Sequence, residues 1–201
     1  LAGGSVMAKH NLGEFIKQIR GVSYKPADVT TSEKGTPILR ANNIQEDGLV
    51  FDDLVYVSDN KISQEQRLQK GDIVICASSG SKNLVGKAAT FEQFEAPVSF
   101  GAFCKVIRVK KSADIDPEYI RFYFRSKYYR EQISANSSGS NINNIKSEDI
   151  DFLSINIPFF EDQQKAVFLF NRYFSAISTK KQELVALDEL VKSRFISQEV
   201  A

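Results

Sequence analysis

Histidine is nearly absent from this sequence: His10 is the only one in 201 residues. A histidine-dependent nucleophilic triad or zinc site has nothing to build from, and two scattered cysteines cannot replace the missing ligands. Those cysteines, Cys76 and Cys104, lie in the apolar runs DIVICA and GAFCKVIRV, so they read as buried reduced thiols of a cytoplasmic protein. No apolar run approaches the ~20 residues that a membrane span needs. Charge of one sign is not in excess either, with 26 Lys and Arg against 25 Asp and Glu. That balance disfavours a purely electrostatic grip on a polyanion and leaves room for a local basic patch. The opening LAGGSVMAKH lacks the long apolar core of a signal peptide, and residues 1–8 read as leader or appended residues, with Met7 a candidate start.

Catalytic motifs are missing too. GSKNLVGKA (80–88) has the look of a phosphate loop, but five residues separate Gly80 from Gly86 and Ala88 stands where a magnesium-binding hydroxyl belongs. There is no GxGxxG, and no Asn/Asp-Pro-Pro-aromatic stretch of the kind amino-methyltransferases place around the target amine. Asp52 and Asp53 are adjacent within a predicted strand, where neighbours point to opposite faces, so they read as solvated carboxylates. The chain reads as a protein that makes and breaks no bonds.

What is present is core-forming material: 42% hydrophobic residues, with 15 Phe and 7 Tyr. Short β-branched or aromatic runs bounded by Gly, Pro, Asp or Asn predict strands at 36–41, 49–57, 72–77, 84–91, 101–109 and 152–157. LGEFIKQIR (12–20) predicts a helix closed by Gly21. IDPEYIRFYFRSKYYREQI predicts another, with Asp116 as N-cap, Pro117 at its first position, and Ile120, Phe124 and Tyr128 on one face. Strands and helices do not alternate regularly, so the fold class is α+β: a β-rich mixed domain.

After Pro158 the pattern changes. From Glu161 to about Phe195 there is neither Gly nor Pro. Ala166, Phe170, Tyr173, Ile177, Leu184, Leu187 and Val191 recur at alternating spacings of four and three, a coiled-coil seam interrupted once, at Lys180. Phe174 and Leu190 widen the stripe. A helix of ~35 residues runs ~50 Å, longer than a compact domain needs to cover its own sheet. It suits pairing with another helix.

Three polar clusters stand between or at the ends of the predicted strands. The first offers Arg40, Asn42, Asn43 and Gln45. The second, ASSGSKN, offers Ser78, Ser79, Ser81, Lys82 and Asn83. The third, NSSGSNINNIK, offers Ser140, Asn141, Asn143, Asn144 and Lys146. Asn and Gln match adenine edges, Arg and Lys match guanine, and Ser serves bases or phosphates. Any one of these clusters is also what an ordinary turn demands. Three of them in a chain without catalytic groups point to a recognition module.

In their order these pieces resemble the DNA-specificity (S) subunits of type I restriction-modification systems. GTPILRANNIQEDG is similar to the family's P-x-L-R-x-x-N-I…G segment, and LQKGDIVICASSGS to its L-x-x-G-D…S-G segment. SSGSNINNIKSEDIDFLSINIPFFEDQQKAV resembles the stretch that closes each recognition domain, where a Ser/Gly loop leads to a strand, a proline and an E-x-Q helix start. LDELVKSRF is like the end of the helical region. Phe159 and Phe160 depart from the usual Pro-Leu, a change that affects packing. The resemblance implies a target recognition domain at 9–160 and a helical dimerisation or spacer region at 161–201, one half of a full subunit. It implies double-stranded DNA with a bipartite target as ligand. It also implies methyltransferase subunits, with or without restriction subunits, as partners, and a homodimer through the helix. No cofactor is expected on this chain; S-adenosylmethionine belongs to the partner methyltransferase. The competing expectation is a coiled-coil adaptor with a β-rich head and no DNA specificity.

Overall fold

The computed structural model describes residues 8–81, 83–112, 114–136 and 144–199. The strands in chain order are β1 (Ala8–Asn11), β2 (Ile16–Arg20), β3 (Val29–Thr30), β4 (Gly35–Leu39), β5 (Ile44–Gln45), β6 (Gly48–Leu49), β7 (Val55–Ser58), β8 (Ile73–Cys76), β9 (Ala88–Thr90), β10 (Ser99–Phe100), β11 (Cys104–Val109) and β12 (Ser154–Ile157). Helices are α1 (Pro117–Arg125), α2 (Lys127–Asn136), α3 (Ser147–Asp151) and the long α4 (Phe160–Glu199). This is the α+β, strand-rich arrangement followed by one long helix that the sequence predicts. Among the described residues no helix is long and apolar enough to cross a membrane. The chain divides into two units with the boundary after Gln163.

In the first unit β11 is central: it pairs antiparallel with β2 on one side and β8 on the other, and β9 continues beyond β8. Alternate residues of this sheet enter different cores. Ile16, Ile73, Ile75 and Ile107 face one core, which Ile120, Phe124, Tyr129 and Ile133 of α1 and α2 complete. Ile19, Val74, Cys76, Cys104 and Val106 face a second core, shared with Leu39, Ile44 and Phe100. A sheet buried on both faces needs apolar side chains at every position, hence the unbroken IVIC of β8. A second sheet has the order β10-β4-β7-β3, with β10 parallel to β4. β1 pairs with β12, and β5 with β6.

The two-sided burial also corrects a prediction. Residues 12–20 do not form a helix: a short 3-10 turn, Leu12–Glu14, leads into β2. Ile16 and Ile19 are three apart, which imitates a helical stripe, but on a strand they point to opposite faces and each finds its own core. Gly21 is accordingly not a helix terminator; it abuts Gly101, and a Cβ there would overlap the Gly101 carbonyl oxygen.

Other boundaries shift for local reasons. The predicted strand 49–57 breaks, because Asp53 takes a positive φ of 52° between β6 and β7. The predicted strand at 84–91 shrinks to β9 because Gly86 turns the chain at φ +78°. Residues 101–103 form a turn ahead of β11. Asp116 does cap α1, its carboxylate accepting from Glu118 N–H at 2.9 Å. The helix then stops at Ser126, whose hydroxyl oxygen accepts the Tyr129 N–H at 3.1 Å and starts α2 afresh. That break turns Tyr129, rather than Tyr128, into the core. At the start of α4, Gln163 is fully buried: its Nε2 donates to the carbonyls of Asp114 (2.8 Å) and Pro158 (2.9 Å), and its Oε1 accepts from Asp116 N–H at 2.9 Å. The glutamine of the E-x-Q start thus spends its buried amide on three backbone groups around the head of α4.

The second unit is the remainder of α4. Phe170, Tyr173, Leu184, Leu187 and Val191 of the seam are exposed, and Ala166 and Ile177 are half-buried. Lys180, the interruption, pairs with Glu183 on its own helix at 2.7 Å.

Candidate nucleic-acid interface

The three polar clusters meet through the turn Gly101–Phe103. Gly101 N–H donates to the Leu39 carbonyl at 2.8 Å, which fixes the turn beside Arg40 and the first cluster. The Phe103 carbonyl accepts from Ala77 N–H at 2.9 Å and Ser78 N–H at 3.0 Å, at the root of the second. Ser78 in turn forms an antiparallel bridge with Asn144 of the third, and Ile145 N–H donates to the Ala77 carbonyl at 2.7 Å. Each of these ties is main chain to main chain. Ile145, buried in the first core, pins the end of the third cluster.

The clusters differ in how their side chains are employed. Asn43 is buried: its Oδ1 accepts from Arg40 N–H and its Nδ2 donates to the Asp52 carbonyl, both at 2.8 Å, so it shapes the loop from inside. Arg40 Nη2 donates to the Asp53 carboxylate and to the Asp53 carbonyl, each at 2.6 Å, while its Nε is buried without a hydrogen-bond partner. Asn42 is exposed. In the second cluster Ser79 Oγ accepts from Ser81 N–H at 3.1 Å, tightening a local turn. Ser78 and Ser79 are half-buried, and Ser81 and Asn83 are exposed. Beneath that loop, Tyr129 Oη donates to the Gly86 carbonyl at 2.9 Å from a fully buried position. In the third cluster Asn144 and Lys146 are exposed, and Lys146 N–H donates to Asp149 Oδ2 at 2.7 Å where α3 begins. Lys82, Ser140, Asn141 and Asn143 lie outside the described residues.

Sequence reasoning passed over two features. Phe103 stands at the junction with its side chain 69% exposed. Lys105 donates to Ser147 Oγ at 3.1 Å and Gln18 Oε1 at 3.5 Å, joining β11 to α3. Burial, and then the neighbouring Arg20, hold the Lys105 pKa below its ordinary value. Neither had a signal in the pattern: GAFCKVIRV reads as one strand, and only the turn that removes its first three residues leaves Phe103 outside.

The description "Type I restriction modification DNA specificity domain" fits residues 7–189 of this chain. The chain belongs to that family. It is 38% identical over 176 residues to the type I restriction enzyme StySPI specificity subunit of Salmonella potsdam, covering 87% of this chain and 37% of that protein. It is 38% identical over 179 residues to the EcoKI specificity subunit of Escherichia coli K12, covering 88% and 36%. A chain of a solved type I R-M system has the same fold (TM-score 0.66, 16% identity, 90% of this chain and 43% of that one). So does the HsdS subunit from Thermoanaerobacter tengcongensis (TM-score 0.62, 16% identity, 89% and 39%). This specificity domain therefore spans well under half the length of the curated relatives it matches.

Proposed function

We propose that this chain reads double-stranded DNA as the specificity component of a type I restriction-modification enzyme, bringing methyltransferase subunits, with or without restriction subunits, to a bipartite target. The observation that supports this most is the convergence of three hydrogen-bonding clusters on one rigid turn, in a chain whose relatives are specificity subunits. Asn42, Ser81, Asn83, Asn144 and Lys146 have the exposure to reach a duplex, and Arg40, Ser78 and Ser79 are partly exposed beside them. Lys82, Ser140, Asn141 and Asn143 join them by sequence position. Asn43 is withdrawn, because its amide is spent inside the loop. Chemistry then belongs to the partner, which carries S-adenosylmethionine, and the setting is the cytoplasm. The chain acts as a half-subunit whose 166–191 seam pairs with that of a second copy, presenting the reading surface twice.

The test is the pattern of methylated sites in cells that carry this chain with its cognate methyltransferase subunit. A defined split motif is expected, and none should appear without this chain. In vitro, Lys146→Ala should weaken binding to all duplexes and lower the salt slope by about 1. Asn83→Ala should instead relax preference at one base pair, by about 1–3 kcal/mol. Methyl transfer by this chain alone, or binding that ignores sequence, would overturn the reading.

A further inference from the structure

Phe152 and Phe159 are as exposed as Phe103, so exposure by itself distinguishes none of them. The seat of Phe103 does. Its carbonyl holds the Ala77 and Ser78 N–H groups, and the Cys104 N–H closes the turn onto the Gly101 carbonyl at 2.8 Å. Gly101 is itself pressed against Gly21 and bonded to Leu39. The backbone is thus fixed on both sides of a ring left in solvent, where folding gains little from it. The turn that carries the ring is bonded on one side to Leu39, which precedes Arg40, and on the other to Ala77 and Ser78, the latter bridged to Asn144. One apolar group set among hydrogen-bonding groups complements a polar surface with a single apolar feature. The major groove of a duplex is such a surface: donors and acceptors along the base edges, and one apolar group, the C5 methyl of thymine.

We propose that Phe103 is a specificity-determining residue that packs on the C5 methyl of a thymine in the target. This rests on the reading that the clustered face meets DNA. Insertion of the ring between base pairs is the competing outcome that the test separates.

The test begins by selecting a preferred duplex from a randomised library with the full chain. Each thymine is then replaced singly by deoxyuridine, which removes only the methyl. At one position the loss should weaken binding about fourfold, the factor equivalent to ~0.8 kcal/mol for one buried carbon. Phe103→Ala should bind the thymine duplex at least that much more weakly, with an unchanged salt slope, and should no longer distinguish thymine from uracil there. Phe103→Leu, still apolar, should keep the preference. A wild-type chain that binds yet tolerates uracil everywhere overturns the proposal. So does Phe103→Ala that retains the preference. Enhanced 2-aminopurine fluorescence that depends on Phe103 without methyl sensitivity overturns it in favour of intercalation. Unchanged DNA binding with lost methyltransferase binding overturns it in favour of a protein contact. If no duplex is selected at all, the DNA reading fails and this inference with it, a result distinct from the others.

Discussion

Asp53 holds Arg40 twice, accepting from Nη2 through its carboxylate and through its own carbonyl, at 2.6 Å in each case. The second bond is available because Asp53 has a positive φ, the only described non-glycine residue that does. The pair orients the guanidinium and also neutralises it next to the proposed reading surface.

Asp53→Asn keeps a residue type that tolerates this backbone conformation but removes the negative charge. Binding to unrelated duplexes should strengthen at low salt and the salt slope should steepen by about 1, as one more cation becomes available to phosphate. Preference for the selected duplex should fall. The melting temperature should hardly move, since exposed ion pairs contribute about 0–1 kcal/mol. Salt titrations on matched and unmatched duplexes decide it.

The contact between Gly21 and Gly101 is asymmetric. A methyl group at Gly21 overlaps the Gly101 carbonyl, whereas one at Gly101 meets Ile38 Cγ2 at 3.5 Å, an ordinary contact. Gly21→Ala should therefore destabilise the fold by about 1–3 kcal/mol, and Gly101→Ala by much less. Urea denaturation of the two variants would show equal losses if the turn were free to shift.

Cys76 and Cys104 face each other across β8 and β11, both buried. Burial pushes the Cys104 thiol from its ordinary 9.0 up to about 12. An acid whose pKa is raised on folding favours the folded state while both states are protonated. Its contribution is complete well below pH 9.0, the ordinary value, and is lost as pH rises towards about 12. Stability should decline over that window in the wild type and less steeply in Cys104→Val. In the folded protein at pH 8, iodoacetamide should label neither thiol until denaturant is added.

The exposed seam on α4 gives the proposed dimer its test. Leu184→Lys should convert a dimer into a monomer in sedimentation while leaving the melting of the first unit unchanged. A heptad inserted after Lys181 lengthens the helix by ~10 Å. At ~3.4 Å per base pair, the unread gap between half-sites should grow by about three pairs, with the half-site bases unchanged. Methylated sites with an unaltered gap would reject the helix as a spacer.

Much of this was readable from sequence because local chemistry is explicit there. The Asp116-Pro117 helix start, the β8 run and the long Gly-free helix carry their own signals. The 12–20 segment did not, because a strand whose two faces enter two cores loses the alternation that identifies strands, and Ile16 and Ile19 then imitate a helix. The polar clusters were visible as composition. That they converge was not, since the ties run through backbone groups of Leu39, Gly101, Phe103 and Ala77, which leave no trace in residue type. Asn43 likewise looked like its neighbour Asn42; burial and the bonds of its amide to Arg40 N–H and the Asp52 carbonyl separate them.

Because those ties run backbone to backbone, the Phe103 ring is no part of the bonds that join the loops. That side chain is exchangeable without undoing the joints that carry it. Such a surface is cheap to rewrite: new preferences arise by point substitution on an unchanged frame, while the glycine at 21 stays under much tighter constraint.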